Sequence, residues 1–340
     1  MPRSIYGLDI GTYEIKVFDK KNKKIWKQKN VIAVKGKDDI FAMGDAAYEM
    51  YEKTPDDIRI VFPMQEGAIA SFDSMQYLLG TLLNNTRLFV RGSEYLLAVP
   101  TDVTEVEKRA FYDLVLNSRG KAKSVRIVER GIVDALGAGV DIWSTSGVMI
   151  ANFGGGTTEL SVLSAGGMVL NRLVKIGGTH LDNAIINLVR RNQDMLIGHS
   201  AAENLRCKFG VFEQETDATA MVSGKSILSG IPHRKDISSG LVRAALKEPL
   251  EECVNAIKIM IDRTPSDIQK GIFENGLYLT GGIARISGLD SFLESHINLP
   301  VHVAHEPEFS SMRGLEVIMS SKVYRKFSYS MLNEDYRWLR

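Results

Sequence analysis

The chain has 340 residues, 44% of them hydrophobic and 24% charged, with a formal net charge of +1, enough chain for two domains of ordinary size that each bury a core. That charge balance excludes bulk electrostatic capture of nucleic acid, and two cysteines, Cys207 and Cys253, exclude a disulfide framework. Met1 to Tyr6 is too short and polar for a signal peptide, and no apolar run approaches the roughly 20 residues of a spanning helix, so a reducing, cytoplasmic location is expected.

The first predicted element is a buried strand over Ile5–Ile10. A second strand, Glu14–Phe18, alternates Ile15 and Val17, a polar turn covers residues 20–24, and Ile25–Gln28 returns as a third strand. Ser71–Asn84 carries Met75, Leu78, Leu79, Leu82 and Leu83 at helical spacing. Tyr95–Val99 reads as a strand ended by Pro100. Thr104-Glu105-Val106-Glu107 then matches a capping box at the start of a helix. Val125–Val128 is another strand, and a helix begins at Ile132. From residue 147 the opening order repeats: strand Val148–Phe153, strand Glu159–Leu163, a turn, strand Met168–Val174. The repeat is one of pattern, with little residue identity. Helices are predicted over Leu181–Arg191, Ala201–Phe209, Ser239–Arg263 and Ser266–Glu274, a hairpin or excursion within 211–237, and a strand over Leu277–Thr280. Strands alternating with helices indicate an α/β fold.

Two glycine turns stand at matching places in the two halves: Asp9-Ile10-Gly11-Thr12 and Asn152-Phe153-Gly154-Gly155-Gly156-Thr157-Thr158. Phosphate oxygens need close approach of backbone N–H groups, which a Cβ obstructs. Gly11 and Gly154–Gly156 provide that approach, and the threonines add hydroxyl donors. Asp9, at a strand end, suits a magnesium ion held through its waters. A third turn, Leu279-Thr280-Gly281-Gly282, leads from a strand into a helix and suits the nucleoside or α-phosphate.

With these turns, Lys53-Thr54-Pro55, Pro63-Met64-Gln65-Glu66-Gly67-Ala68-Ile69-Ala70, Val99-Pro100 and Gly137-Ala138-Gly139, the chain resembles the actin-like ATPase superfamily and, within it, the MreB family, over about residues 5–320. The resemblance implies an actin-like ATPase fold of two duplicated ribonuclease H-like domains flanking a nucleotide cleft. The expected division is residues 1–143, with a small subdomain near 31–70, then 144–321, with a small subdomain near 183–237, then a basic, aromatic tail over 322–340. It implies ATP and Mg2+ as cofactors, with phosphate contacts at Thr12, Tyr13, Glu14 and Gly154, Gly155, Gly156, Thr157. Ribose and base contacts fall at Glu203-Asn204-Leu205-Arg206, where an arginine stands for the family's lysine, and the adenosine loop at Gly281, Gly282, Ile283 and Ala284. It further implies a filament-forming protein that helps to set rod shape at the inner face of the cell membrane, with itself as polymer partner and with actin-like paralogues and cell-wall elongation proteins as further partners. Nucleic acid is not among them.

Two departures bear on chemistry. Asn152 replaces the family's aspartate, and Glu129-Arg130-Gly131 stands where a Glu-Glu-Pro segment places the glutamate that orients the attacking water. Arginine is no base at neutral pH, and general-base assistance is worth about 10²–10⁴ in rate, or about 3–5 kcal/mol of barrier. Glu129 is the alternative base, although neighbours at a strand end face opposite ways; Arg130 is placed to hold the γ-phosphate instead. The expectation is nucleotide binding with slow or absent hydrolysis. Drift at Arg130 and Asn152, compensated by nearby residues, is the competing account. A sugar or acid kinase on the same fold would need a base for its acceptor hydroxyl, and none stands out.

Leu88-Phe89 matches the position of an apolar membrane-inserting pair in the family; inward packing is the other arrangement it allows. Two such side chains contribute only a few kcal/mol, so attachment would need the avidity of a polymer. The tail suits either a lipid or protein surface, through its basic and aromatic residues, or a return onto its own domain.

Overall fold

The computed structural model describes residues 4–37, 39–85, 92–118, 122–143, 146–210 and 218–332. Its frame is two five-stranded sheets of one topology. In the first, the strand order is Ser124–Glu129, Glu94–Val99, Ile5–Ile10, Glu14–Asp19, Lys24–Lys29. In the second, reading from the corresponding edge, it is Val301–Val303, Leu277–Thr280, Val148–Phe153, Thr158–Ser164, Gly167–Val174. In each, the central strand pairs in parallel with the neighbour that arrives by a helical crossover, and antiparallel with the strand across its glycine turn. The repeat visible in the first three strands of each half thus extends to the whole sheet.

These strands form because their apolar residues are buried. Ile5–Ile10 and Val148–Phe153 are closed off from solvent on both faces almost throughout, as expected of central strands with a helix layer on each side. One core lies on the outer face of the first sheet and gathers Leu8, Ile10, Leu79 and Phe111. A second belongs to the other half and gathers Phe153, Leu160, Ile185, Leu205 and Ile257, with Cys253 buried in it. A third joins the halves: Phe18, Leu96 and Val128 of the first meet Val148, Ile150 and Leu163 of the second.

That shared core is organised by two helices, Arg130–Gly137 and Ser310–Ser320. They cross where Gly137 faces the Ser310 carbonyl and Gly314 faces the Val133 carbonyl, so closely that a Cβ on either glycine would strike backbone. The second helix is not signalled by any cap or turn of its own. The first begins at Arg130, two residues before the position expected from the sequence, because Arg130 turns inward from the end of its strand and is buried.

The capping box is present: Thr104 Oγ1 accepts from the Glu107 N–H (3.2 Å) and the Glu107 carboxylate accepts from the Thr104 N–H (2.7 Å). The excursion at 211–237 contains a hairpin, Thr219–Ser226 with Pro232–Ser238. A small three-stranded sheet, Ile32–Lys35, Asp39–Met43 and Ile58–Val61, and the helix Asp45–Met50 form the upper part of the first half. Of the two arrangements the tail allows, residues 322–332 take the return. Tyr329 exchanges backbone hydrogen bonds with Ile127 (2.8 and 3.0 Å), Met331 is buried, and Tyr324 and Phe327 stack near Trp143. Residues 333–340 and the Leu88-Phe89 pair lie outside the described residues. Among the described residues, no helix is long and apolar enough to cross a membrane.

Candidate nucleotide-binding site

The two glycine turns face each other across the space between the sheets. A Cβ on Gly155 would lie 2.5 Å from the Tyr13 Cβ, and one on Gly156 would lie 2.8 Å from the Thr12 methyl group, so the loops approach this closely only as glycine. Gly11 N–H donates to the Glu14 carbonyl (3.0 Å) and Gly154 N–H to the Thr157 carbonyl (2.8 Å), which closes each turn. Among the described residues, no internal backbone hydrogen bond takes up the N–H groups of Thr12, Gly155 or Gly156. The loops that carry these donors meet from both halves, and backbone N–H groups without an internal backbone partner suit a polyphosphate. Gly281, at φ +84, lets the third turn pass against Asn152.

The deep end of the cleft is charged and buried. Arg130 Nη2 lies 3.0 Å from Asp9 Oδ1, and Arg130 Nη1 pairs with Glu159 Oε1. All three residues are buried. One guanidinium thus bridges the first glycine turn and the strand after the second. Burial works against its charge, but Glu159, Asp9 and Asp134 outweigh that and hold Arg130 above the ordinary guanidinium value. Lys16, which the strand register sets opposite Asp9, adds a second cation 4.0 Å from Asp9 Oδ2. Asn152 donates through Nδ2 to Asp134 Oδ2 (2.5 Å), and Ser311 Oγ donates to Asp134 Oδ1 (2.7 Å). Burial pushes the Asp134 carboxyl up to about 7 despite those two donors. The substitutions at 130 and 152 are therefore matched by neighbours: the arginine by two carboxylates, the asparagine by Asp134.

Glu129, the alternative base, points the other way, and its Oε1 accepts from Lys108 Nζ at 2.9 Å. Arg130, expected at the γ-phosphate, spends its fork on Asp9 and Glu159.

The arrangement also bears on magnesium. Asp9 was the carboxylate expected to hold it, but Asp9 is already paired with one cation and faces another. A doubly charged ion about 4 Å from a guanidinium is repelled by about 8 kcal/mol at an effective dielectric constant near 20. Asp9 attracts it by a similar amount at similar range, so the pair offers little net attraction. Among the described residues, no cluster of three or more His, Cys, Asp or Glu side chains suits a metal. The residues present do not fit a magnesium ion on Asp9.

The mouth of the cleft is closed differently. Glu203, on the helix His199–Phe209 of the second half, accepts from Tyr13 Oη (2.5 Å) and Tyr48 Oη (2.8 Å), both of the first half. Lys29 Nζ sits over the Tyr13 ring, 3.5 Å from its centroid, and burial lowers its pKa against the pull of Glu14 and Glu203. Burial, then Glu203, raises Tyr13 well above the ordinary phenol value. Beside this clasp, the N–H of His199 donates to Glu52 (2.8 and 2.9 Å), and Tyr51 stacks on the His199 ring. Arg206 shares the cleft face of the helix with Glu203 but is paired with Asp182 at 2.7 Å. Leu205 is a core residue and Asn204 is exposed, so these two side chains do not join the cleft face. Ile283 and Ala284 are buried; the Ile283 side chain packs toward Gly178. The Glu14 carboxylate lies among three lysines, Lys16 (4.0 Å), Lys27 (3.6 Å) and Lys29 (3.4 Å).

Sequence reasoning passed over Lys16, Glu159, Asp134, Tyr48 and Asp182. Asp134 had a signal, since it lies one helical turn beyond Arg130 and so on the same face.

Comparison with known proteins agrees with this geometry. The MreB/Mbl protein family matches residues 3–326. The chain is 32% identical over 307 residues to the cell shape-determining protein Mbl of Bacillus subtilis, covering 88% of this chain and 91% of that one. It is 32% identical over 317 residues to the cell shape-determining protein MreB of Escherichia coli, covering 91% of each. Among solved structures, MreB5 of Spiroplasma citri, bound to ADP, superposes with a TM-score of 0.90 at 28% identity, over 96% of this chain and 98% of that one. The same protein bound to AMPPNP gives 0.89. With the duplicated sheets, the facing glycine turns and these matches, the chain belongs to the MreB/Mbl family and has its actin-like fold.

Proposed function

We propose that the chain is an ATP-binding cytoskeletal protein that assembles into filaments at the inner face of the cell membrane and contributes to rod shape and to guidance of cell-wall synthesis. The observation that carries the reading is the meeting of the two glycine turns, whose Thr12, Gly155 and Gly156 N–H groups have no internal backbone partner among the described residues. The family supports it: the relatives are cell shape-determining proteins, and MreB5 binds ADP and AMPPNP at matching overall structure. For self-association, the hairpin of the second half presents Met221, Ile227, Leu228 and Ile231, with Leu228 87% exposed; clustered apolar side chains at a surface mark interaction sites. Membrane attachment rests on the resemblance at Leu88-Phe89.

Hydrolysis is proposed to be weak. With Glu129 held by Lys108 and Arg130 ion-paired, the water lacks a positioned base, a loss of about 10²–10⁴ in rate. The same observation favours a second reading, a non-hydrolysing scaffold that modulates other actin-like filaments. Electron microscopy of the purified chain with ATP and lipid vesicles, run beside a phosphate-release assay, separates them. Filaments on vesicles with slow release are expected. Nucleotide binding without filaments would leave the scaffold, and release as fast as in family members that keep the glutamate would overturn the weak-hydrolysis reading. Leu228→Asp should abolish filaments while leaving nucleotide binding intact.

A further inference from the structure

We propose that the buried pairing of Arg130 takes up the carboxylates that a divalent cation would use at this site, so that the chain binds its nucleoside triphosphate without a metal. The inference rests on the nucleotide reading of the same two turns. Three observations carry it. Arg130 is buried between Asp9 and Glu159, so the carboxylate at the first turn is neutralised by a protein cation. Lys16 stands 4.0 Å from the other oxygen of Asp9 and 4.0 Å from Glu14, so that a second protein cation already serves the carboxylates on this side of the cleft. Asn152 presents a neutral amide engaged with Asp134, so the second turn also offers no charged ligand of its own.

A divalent ion in such a site has two tasks: to offset the charge of the phosphates and to tie them to the protein through carboxylates. Here the carboxylates are spent on arginine. Two of its nitrogens face Asp9 and Glu159. A site arranged in this way loses the metal-dependent step in loading.

The test uses the full chain and a fluorescent ATP analogue, titrated in EDTA and again in excess Mg2+. The expected result is a Kd that agrees within about threefold between the two conditions. A weakening of about tenfold or more in EDTA, with binding intact in Mg2+, overturns the inference and leaves the nucleotide reading standing. Absence of binding in both overturns the two together. In Arg130→Glu the freed site should become metal-dependent, binding about tenfold or more tightly with Mg2+ than with EDTA. Should that variant fail to fold, the wild-type chain carries the test by itself: ATP in EDTA should raise its melting temperature as much as ATP with Mg2+, and a rise confined to Mg2+ overturns the inference.

Discussion

The two ends of the cleft join the same two halves by opposite means. At the deep end, Arg130 ties Asp9 to Glu159 in a buried ion cluster beside Asp134. At the mouth, Tyr13 and Tyr48 donate to a half-buried Glu203, amid the Lys29 ammonium over the Tyr13 ring, the Glu52 carboxylate and the His199–Tyr51 stack. A buried charge whose partner is removed is very costly, whereas a hydrogen bond near solvent can be replaced by water. The deep end should therefore behave as a fixed part of the folded structure, and the mouth as the part that can open for exchange. The sharpest way to break this contrast is Arg130→Ala, which leaves two buried carboxylates facing each other. It should lower the unfolding free energy by about 3–5 kcal/mol, read as a shift in the midpoint of urea denaturation at constant slope. A loss below about 1 kcal/mol would mean that water reaches the cluster.

The next effect comes from Asp134. Its carboxyl is pushed up to about 7 by burial, against about 3.9 for an unfolded aspartate. Between those values the folded state binds more protons than the unfolded one. Stability is thus fully present below about pH 4, falls as pH rises through about 7, and is level above. The decline should be on the order of 2–4 kcal/mol, and Asp134→Asn should flatten it. Denaturation series at pH 5, 6 and 7 check both, and a wild-type profile flat across that window would place Asp134 in contact with solvent.

How far these groups were legible in the sequence follows from the range of the forces that place them. The sheet strands were, because apolar runs ended by glycine turns are local signals: Val148–Phe153 and Leu277–Thr280 have the bounds expected. The strands Ile32–Lys35, Asp39–Met43 and Ile58–Val61 were not assigned. They are short, and the first is buried over Ile32, Ala33 and Val34 without alternation while the other two are largely part-exposed, so alternation has little room to show. At the site, the glycine turns were visible because backbone approach demands glycine. Lys16 was not, since between Ile15 and Val17 it looks like any outward residue of an alternating strand, and only the register opposite Asp9 puts it in the cleft. Tyr48 and Glu203 are 155 positions apart, and nothing near either residue announces the other. Arg130 was read as free to reach phosphate because its two carboxylate partners arrive from other strands.

The smallest effect is expected at the mouth, where it also says most about function. Tyr48→Phe removes one donor to Glu203 and keeps the ring contacts with Tyr13 and Tyr51. A hydrogen bond to a charged group is worth about 1.5–3 kcal/mol when sheltered, and the half-buried setting should bring this one to about 1 kcal/mol. Global stability should scarcely change, because the cores and the deep cluster are untouched. Opening of the clasp, however, is resisted by only a few such bonds, so the same loss falls entirely on that step. Release of a fluorescent ATP analogue should then quicken by about fivefold, which is what ~1 kcal/mol gives in a rate. Glu203→Gln weakens the bonds from both Tyr13 and Tyr48 and should quicken release at least as much, and adding Tyr48→Phe to it should bring little further gain if Tyr48 acts through Glu203. Additive effects on release would mean that Tyr48 and Glu203 serve the nucleotide separately, and the mouth would then be a binding surface rather than a clasp.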